Sequence, residues 1–309
     1  MDISTSAEIK SLSDYLEVQR NHYDSCIEAI DHNLDIDGVD ANLRFKHLKF
    51  DSNSQPKFEI IAKILANYLI YYSSSIRNWD RKKKDAYETS NFYNECRDLL
   101  RKCSVSGEAG EILLYFLLET VLRAPQMVAK LELKQNPNFE SLGSDGIHVK
   151  WNSKDELLDV YFGEAKLYGS VYGALDELFK SVKKFHDDNM VEHELKLVTR
   201  HYKWADGPLK DAVLRFINPQ EPGGDCRINH ACLVGYDWEK YNEFMTIPDG
   251  IIERFKVAYR KDTVRLRSLL QSRFDNFQYK HFRYEVFFLP FKSVQEFRNH
   301  FQKAVGISL

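Results

Sequence analysis

Cysteine is scarce in this chain, and what there is shows no bonding pattern. Five of 309 residues are cysteine (Cys26, Cys96, Cys103, Cys226 and Cys232), an odd number with no CxxC spacing. That argues against a disulfide framework or a zinc ribbon and for reduced thiols in a cytoplasm. Long apolar runs are missing too. The longest, Ile112 to Leu118, falls far below the roughly 20 residues a bilayer crossing needs. The acidic opening, MDISTSAEIKSLSDYLEV, lacks the apolar core of a signal peptide. A soluble, cytoplasmic protein without membrane contact is therefore expected. No GxxxxGK string followed by Ser or Thr occurs, so ATP hydrolysis by a P-loop is not signalled. His186, His193, His201 and His230 have no HExxH or HxH spacing, which disfavours a zinc hydrolase. Ser106 and Ser170 lack the GxSxG setting of a serine hydrolase.

What is present suits a folded chain. Hydrophobic residues make up 43% and charged residues 29%, with 20 Phe and 17 Tyr, enough for one large domain or two modest ones. Net charge is only -3, but it is unevenly placed. Residues 1–50 hold ten acids and five Lys or Arg; residues 254–283 hold nine Lys or Arg and two acids. Opposite signs suggest one face for an anionic partner and another for something else. Periodicity predicts one or two weak helices in the first 35 residues, a strand over Leu43–Phe50 and a helix from Gln55–Pro56 through Tyr72. GEAGEILLYFLLETVL reads as a helix ended at Ala124–Pro125, Met127–Leu133 as a strand, and Asn136–Asn138 as a turn. GSDGIHVKW and LLDVYFGEAKLY read as a hairpin, followed by an amphipathic helix striped by Leu175, Leu178, Phe179, Val182 and Phe185. Later come helices over Glu194–Tyr202 and Leu209–Ile217, a loop at 218–225 and a strand over Ile228–Tyr236. A basic helix from about Asp249 to Phe274, the strand FRYEVFFLPF and a last helix over Val294–Val305 close the pattern. The order fits an α/β layer fold.

Four residues carry a possible chemistry: Glu111, Asp145, Glu164 and Lys166. Glu164 and Lys166 lie two apart on one strand, so their side chains share a face. A hairpin brings Asp145 to the same edge, and Glu111, near a helix start, can lean over it. Clustered carboxylates are the hard ligands that hold Mg²⁺. A lysine beside them suits phosphodiester hydrolysis, where charge grows on the phosphate. The roles expected are metal binding for Asp145 and Glu164, metal binding or water positioning for Glu111, and nucleophile activation for Lys166. Charged residues ending the apolar run Val160–Gly163 raise the signal. A plainer reading stands beside it: a surface Glu–Lys pair, with Asp145 serving its own turn. His148 reads as a packed or hydrogen-bonded histidine.

The strings GEAGEILLYFLLE, GSDGIHV and YFGEAKLYGSVYGAL resemble the nuclease subunit of the Hachiman anti-phage defence system, the HamA family. The resemblance runs from PKFEIIAKILANYLIYYSS to the last strand and is densest between Gly107 and Leu175. It implies a PD-(D/E)xK, restriction-endonuclease-like fold: a central mixed sheet flanked by helices, with an N-terminal, largely helical extension. In such nucleases a helix carboxylate, an aspartate before the second strand and an E-x-K on the third form the site; Glu111, Asp145, Glu164 and Lys166 stand in those places. Asp145 follows Ser144 where proline is usual, and Glu108, one turn before Glu111, competes for the helix position. The resemblance further implies cleavage of DNA with Mg²⁺ (or Mn²⁺), controlled by a superfamily 2 helicase partner (HamB-like). Residues 1–105 are expected as an accessory region and 106–309 as the nuclease-like domain. A catalytically silent DNA- or helicase-binding adaptor, or a stand-alone restriction or repair nuclease, stays open.

Basic residues offer candidate DNA contacts: Lys180, Lys183 and Lys184 on the helix after the ExK strand, and Arg260, Arg265 and Arg267 on the late helix. For the late helix, docking to an acidic partner is equally open, and a solvated face serves either helix as well.

Overall fold

The computed structural model describes residues 11–75, 85–100, 107–133, 143–203, 207–217, 226–245 and 250–307. A 3-10 turn (Ser11–Tyr15) leads to α1 (Arg20–Cys26), β1 (Ile27–Ala29) and β2 (Ala41–Leu48). Next come α2 (Phe58–Asn67), α3 (Leu69–Ser73), α4 (Ala86–Asp98), α5 (Glu108–Leu117) and α6 (Lys130–Leu133). The strands β3 (Gly146–Asn152) and β4 (Leu157–Tyr168) precede α7 (Val171–Asp187), α8 (Met190–Arg200) and α9 (Gly207–Ile217). β5 (Cys226–Asp237), α10 (Lys240–Met245), α11 (Ile251–Phe274), β6 (Arg283–Phe291) and α12 (Val294–Val305) follow. Among the described residues no helix is long and apolar enough to cross a membrane.

The six strands form one mixed sheet in the order β1-β2-β6-β5-β4-β3. β4, β5, β6 and β2 run parallel, while β3 returns antiparallel along β4 and β1 along β2. Parallel strands need both faces covered, which is why Ala231–Tyr236 of β5 and Val286–Phe291 of β6 read as apolar runs. One face packs on α2, α5 and α12 through Ile61, Leu65, Leu113, Phe297 and Phe301. The other packs on α7 and α11 through Leu175, Leu178, Val182, Phe255 and Leu270. A third apolar cluster joins β3 and β4 to α8 and α9. The sheet is continuous across residue 105, with two strands before it and four after.

The strand near Leu43, the hairpin, the helix after it, the strand over Ile228–Tyr236 and the basic helix all form as periodicity predicts. Three expectations fail. Met127–Leu133 is no strand: Gln126 makes one isolated bridge to His148, and Lys130–Leu133 is a helical turn. Met127, Val128, Ala129 and Leu131 are all buried, so alternation there does not mark a sheet face. The helix toward Tyr72 breaks at Tyr68, whose N–H is shared by the Ile64 and Leu65 carbonyls and whose hydroxyl is taken by the Gln19 N–H and His22. The first 35 residues supply a strand, β1, as well as helix. The expected Asn136–Asn138 turn and 218–225 loop lie outside the described residues.

α7 and β5 also meet through two histidines, His186 and His230, with Nε2 atoms 2.8 Å apart. His186 stacks on Phe282 and His230 on Tyr284. Burial, then the neighbouring His281, pushes His186 down to about 4; burial, then His186, pushes His230 down to about 3.

Candidate functional site

α5 is buried along its whole length except at Glu111, which is only partly covered. A helix apolar on all sides must be sandwiched, and Glu111 marks its one opening. Gly110 lets the helix come close to β4. A Cβ there would stand 2.7 Å from Leu167 Cδ1 and 3.5 Å from Ala165 Cβ. Glu111 is thereby brought beside the strand that carries Glu164 and Lys166.

β3 pairs with β4 only as far as Gly163, so β4 continues past its neighbour with one edge open. Asp145 fills that step. Its N–H donates to the Gly163 carbonyl at 2.8 Å, and its Oδ2 accepts the Ala165 N–H at 2.7 Å. Glu164 and Lys166 are registered with Cys232 and Val234, so they point to the face covered by α7. Lys166 Nζ lies 2.6 Å from Glu164 Oε1.

The electrostatics join these groups. Burial, then the Glu164 charge, pushes the Asp145 carboxyl up to about 7, and the Ala165 N–H and Lys166 only partly relieve it. Burial works against the charge on Lys166, but the charge and hydrogen bond of Glu164, with Asp145 behind, outweigh it and raise the ammonium's pKa. Tyr72 on α3 donates its hydroxyl proton to Glu111 Oε2 at 2.8 Å. Burial and the charges of Glu111, Asp145 and Glu108 hold that phenol far above its ordinary range. Asp145, Glu164 and Lys166 thus meet at the open edge of β4, and Tyr72, which holds Glu111 and feels the Asp145 charge, links Glu111 to them from the helix over the other face. Glu108 is buried one turn before Glu111 and acts on the same phenol.

A second buried ion pair holds the turn that presents Asp145. Lys130 Nζ donates to Glu194 Oε1 at 2.6 Å, to the Ser144 carbonyl at 2.6 Å and to Ser144 Oγ at 3.1 Å. Glu194 also accepts the Ser144 N–H at 3.2 Å. Gly143 has φ +111, and a Cβ there would sit 1.8 Å from Glu194 Oε1. Glycine is thus required twice over, by backbone conformation and by space. Burial lowers the Lys130 pKa, opposed by Glu194 and, farther off, by Asp145 and Glu164.

Tyr72, Lys130, Ser144 and Glu194 escape the sequence reading. The available signal was a lysine inside the apolar run Met127–Leu133 and a glutamate on the apolar stripe of α8. His148 is the packed histidine expected: its Nδ1–H donates to the Ala124 carbonyl at 2.8 Å, and burial pushes it down to about 3. The basic candidates sit on α7 and α11, the helices over the face to which Glu164 points. Lys180 pairs with Glu177 and Lys183 with Asp187, while Lys184 is exposed. Arg260 is exposed, but Arg265 holds Asp262 through two bonds of 2.8 and 2.9 Å. Arg267 is stitched to the loop before β2, with the Asp35 carbonyl at 2.7 Å and Asp37 Oδ2 at 2.8 Å.

Among the described residues no three His, Cys, Asp or Glu side chains already converge as a metal-holding group. The donor set still suits a hard cation, because Mg²⁺ commonly takes one or two carboxylates and keeps water or phosphate for the rest. Asp145 and Glu164 supply two, and burial together with the Glu164 charge penalises the charged form of Asp145. The family model of HamA matches residues 21–305, nearly the whole chain. No curated protein matches.

Proposed function

Since a match of that extent makes the chain a member of the HamA family, and so a Hachiman anti-phage defence protein, we propose that it is the system's metal-dependent DNA nuclease. The observation that carries the reading is the meeting of Asp145 and Glu164 beside Lys166 on the open edge of β4. We read this edge as a PD-(D/E)xK site. Asp145, which burial and the Glu164 charge hold toward protonation, is poorly placed for stability alone. With Glu164 it is well placed to receive a cation.

Asp145 and Glu164 would hold Mg²⁺ or Mn²⁺, with Glu111 near enough to the edge to serve the same shell through water. When bound, the ion supplies Lewis acidity and a more acidic water. The chain's own residues do the rest. Lys166 stays protonated, and its ammonium is free to leave Glu164 once a cation takes that carboxylate. It then stabilises charge that grows on a phosphate oxygen in the transition state. Tyr72 holds one Glu111 oxygen and so fixes the carboxylate beside the edge. The Ala165 N–H fixes Asp145, and the Lys130–Glu194 pair fixes the turn behind it. Restraint by a superfamily 2 helicase belongs to the same proposal.

The test is cleavage of duplex and single-stranded DNA by the purified chain with Mg²⁺, alone and with the helicase encoded beside it. Wild-type cutting that disappears in Glu164→Ala supports the reading. No cutting in either setting, with the chain folded and cation bound, returns it to a DNA- or helicase-binding adaptor.

A further inference from the structure

The sheet face packed on α5 changes character along its strands. Toward the strand ends it is apolar, at Leu233, Phe287 and Leu289. Toward the strand starts the same face is polar across four strands: Asp159 on β4, Arg227 and Asn229 on β5, Arg283 and Glu285 on β6, and Asn42 and Arg44 on β2. The register aligns them: Asp159 with Arg227, Asn229 with Arg283, Asn42 with Glu285. Central parallel strands ordinarily carry Val, Ile and Leu at such positions. Buried ion pairs there are usually no better for stability than apolar residues of like volume. A polar floor in the middle of a sheet calls for a use.

The floor is built, and its acids are already spent. Asp159, Asn229 and Glu285 are buried. Glu285 accepts from Asn42 Nδ2 at 2.8 Å and Arg44 Nε at 2.7 Å. Asp159 accepts from Arg227 Nε at 2.7 Å, and from Asn229 Nδ2 and Asn152 Nδ2 at 3.1 Å each. The cations are not spent. Arg44 commits only its Nε to Glu285, and Arg283 Nε stands 3.6 Å from Asp40. Among the described residues neither guanidinium has a hydrogen bond at its two terminal nitrogens. Above them opens a cleft of about 530 Å³, lined also by Leu122, Lys150 and Trp151. Lys150 is exposed, and the buried Trp151 Nε1–H has no acceptor among the described residues. The volume lies within the range of small-molecule sites, about 300–1,000 Å³. Three cations line it against two acids; Arg44 neutralises Glu285 and Arg227, outside the lining, neutralises Asp159, so Arg283 and Lys150 leave a surplus of donors and positive charge.

We propose that this cleft binds the phosphate of a nucleotide-sized ligand. The forked guanidiniums of Arg44 and Arg283 suit bidentate contact with phosphate oxygens, and Lys150 adds a mobile charge at the mouth. The ligand is a free nucleotide or one unit of a nucleic-acid strand, since both present that group. The site is distinct from the carboxylate edge. Asp159 precedes Glu164 by five residues on β4, on the order of 16 Å at 3.3 Å per residue, and on the opposite face. The proposal stands independently of the nuclease reading.

Calorimetric titration of the full chain tests it, with inorganic phosphate, deoxyadenosine monophosphate and a short single-stranded oligonucleotide as probes. Phosphate and the mononucleotide are expected to bind, and Lys150→Ala and Arg283→Gln each to weaken both by about tenfold. Lys150 is exposed at the mouth, so Lys150→Ala is expected to leave the melting temperature unchanged. An oligonucleotide that binds more tightly than the mononucleotide, and is weakened by the same changes, identifies the source as a strand; equal affinity identifies a free nucleotide. Three results overturn the proposal: no binding of any probe, binding indifferent to both substitutions, or binding that survives them and is lost in Lys166→Ala.

Discussion

Lys166 and Tyr72 act at the same edge by different physics. The Lys166 ammonium is held charged by two carboxylates, and its work is confined to charge that appears during reaction. Lys166→Ala is therefore expected to lower Mg²⁺-dependent cleavage by about 10²–10³-fold or more, with little change in folding. The double variant with Glu164→Ala is expected to be no worse than either single one, since the groups act as a unit. Near wild-type cutting by Lys166→Ala would exclude the mechanism. Tyr72→Phe keeps the buried ring and removes one hydrogen bond to Glu111. It is expected to cost about 1 kcal/mol in urea unfolding and to slow cleavage without weakening DNA binding. Unchanged cleavage would detach Tyr72 from the site. The charged four were legible because Glu164 and Lys166 interrupt an apolar strand and Asp145 sits in a tight Ser-Asp-Gly turn. Tyr72 was not, because a tyrosine in an apolar helix looks like any core residue. Its partner lies 39 positions away.

Elements were legible where one face is wet and obscure where none is. α7 alternates buried and exposed positions and was readable. Met127–Leu131 is enclosed on every side, and its period reports nothing. Lys130 and Glu194 were unreadable for a related reason: each is polar on a buried face, and its charge is met by a partner 64 positions away. The approach of α5 to β4 gives a sharp test. Alanine is the better helix former, by about 1 kcal/mol over glycine. Yet Gly110→Ala is expected to destabilise by about 1–3 kcal/mol, because the new methyl meets Leu167. A rise in melting temperature would mean that the contact relaxes freely. The His186–His230 bond between α7 and β5 sets a pH response. Both rings resist protonation when folded and titrate near 6.5 when unfolded, so the unfolded chain binds more protons as pH falls below that value. Stability is expected to be full above about pH 6.5 and to fall toward pH 4, with His230 alone contributing up to about 1.4 kcal/mol per unit. Urea midpoints at pH 7 and pH 5 check this. His230→Phe should flatten the difference, and an unaltered slope would assign acid sensitivity elsewhere.

At the scale of the molecule, the α/β class and the local hairpin were readable, whereas the strand order was not. Nothing in residues 41–48 announces that their neighbour is 283–291. Charge asymmetry was real in the sequence, yet part of it is consumed inside the chain: Arg267 meets Asp35 and Asp37, and Lys256 meets Glu28. The basic late helix therefore tethers the acidic N-terminal part instead of presenting all its charge outward. Arg260 and Lys261 remain exposed for a partner. Arg260→Ala is expected to weaken DNA or helicase binding, whereas Arg267→Ala is expected to loosen the 35–37 loop first, as hydrogen exchange at Asp37 would record. Equal effects of the two on binding, with no change in exchange, would restore the whole helix as a docking face.

The pairing of β2 with β6 also sets a timetable. Contacts that join positions some 240 apart give a high contact order, and such folds close slowly. On a ribosome the β3–β4 hairpin can assemble early, but β2, with only the three-residue β1 beside it, lacks its parallel neighbour until synthesis has passed Phe291. Until then α2, α5 and the sheet face they cover cannot be sealed. A nascent chain therefore holds its carboxylate edge on an unfinished scaffold from the synthesis of Lys166 until that of Phe291, and competence arrives late and all at once. For a protein whose proposed activity would injure the cell that makes it, a topology that withholds assembly until the chain is nearly complete is a safeguard written into strand order.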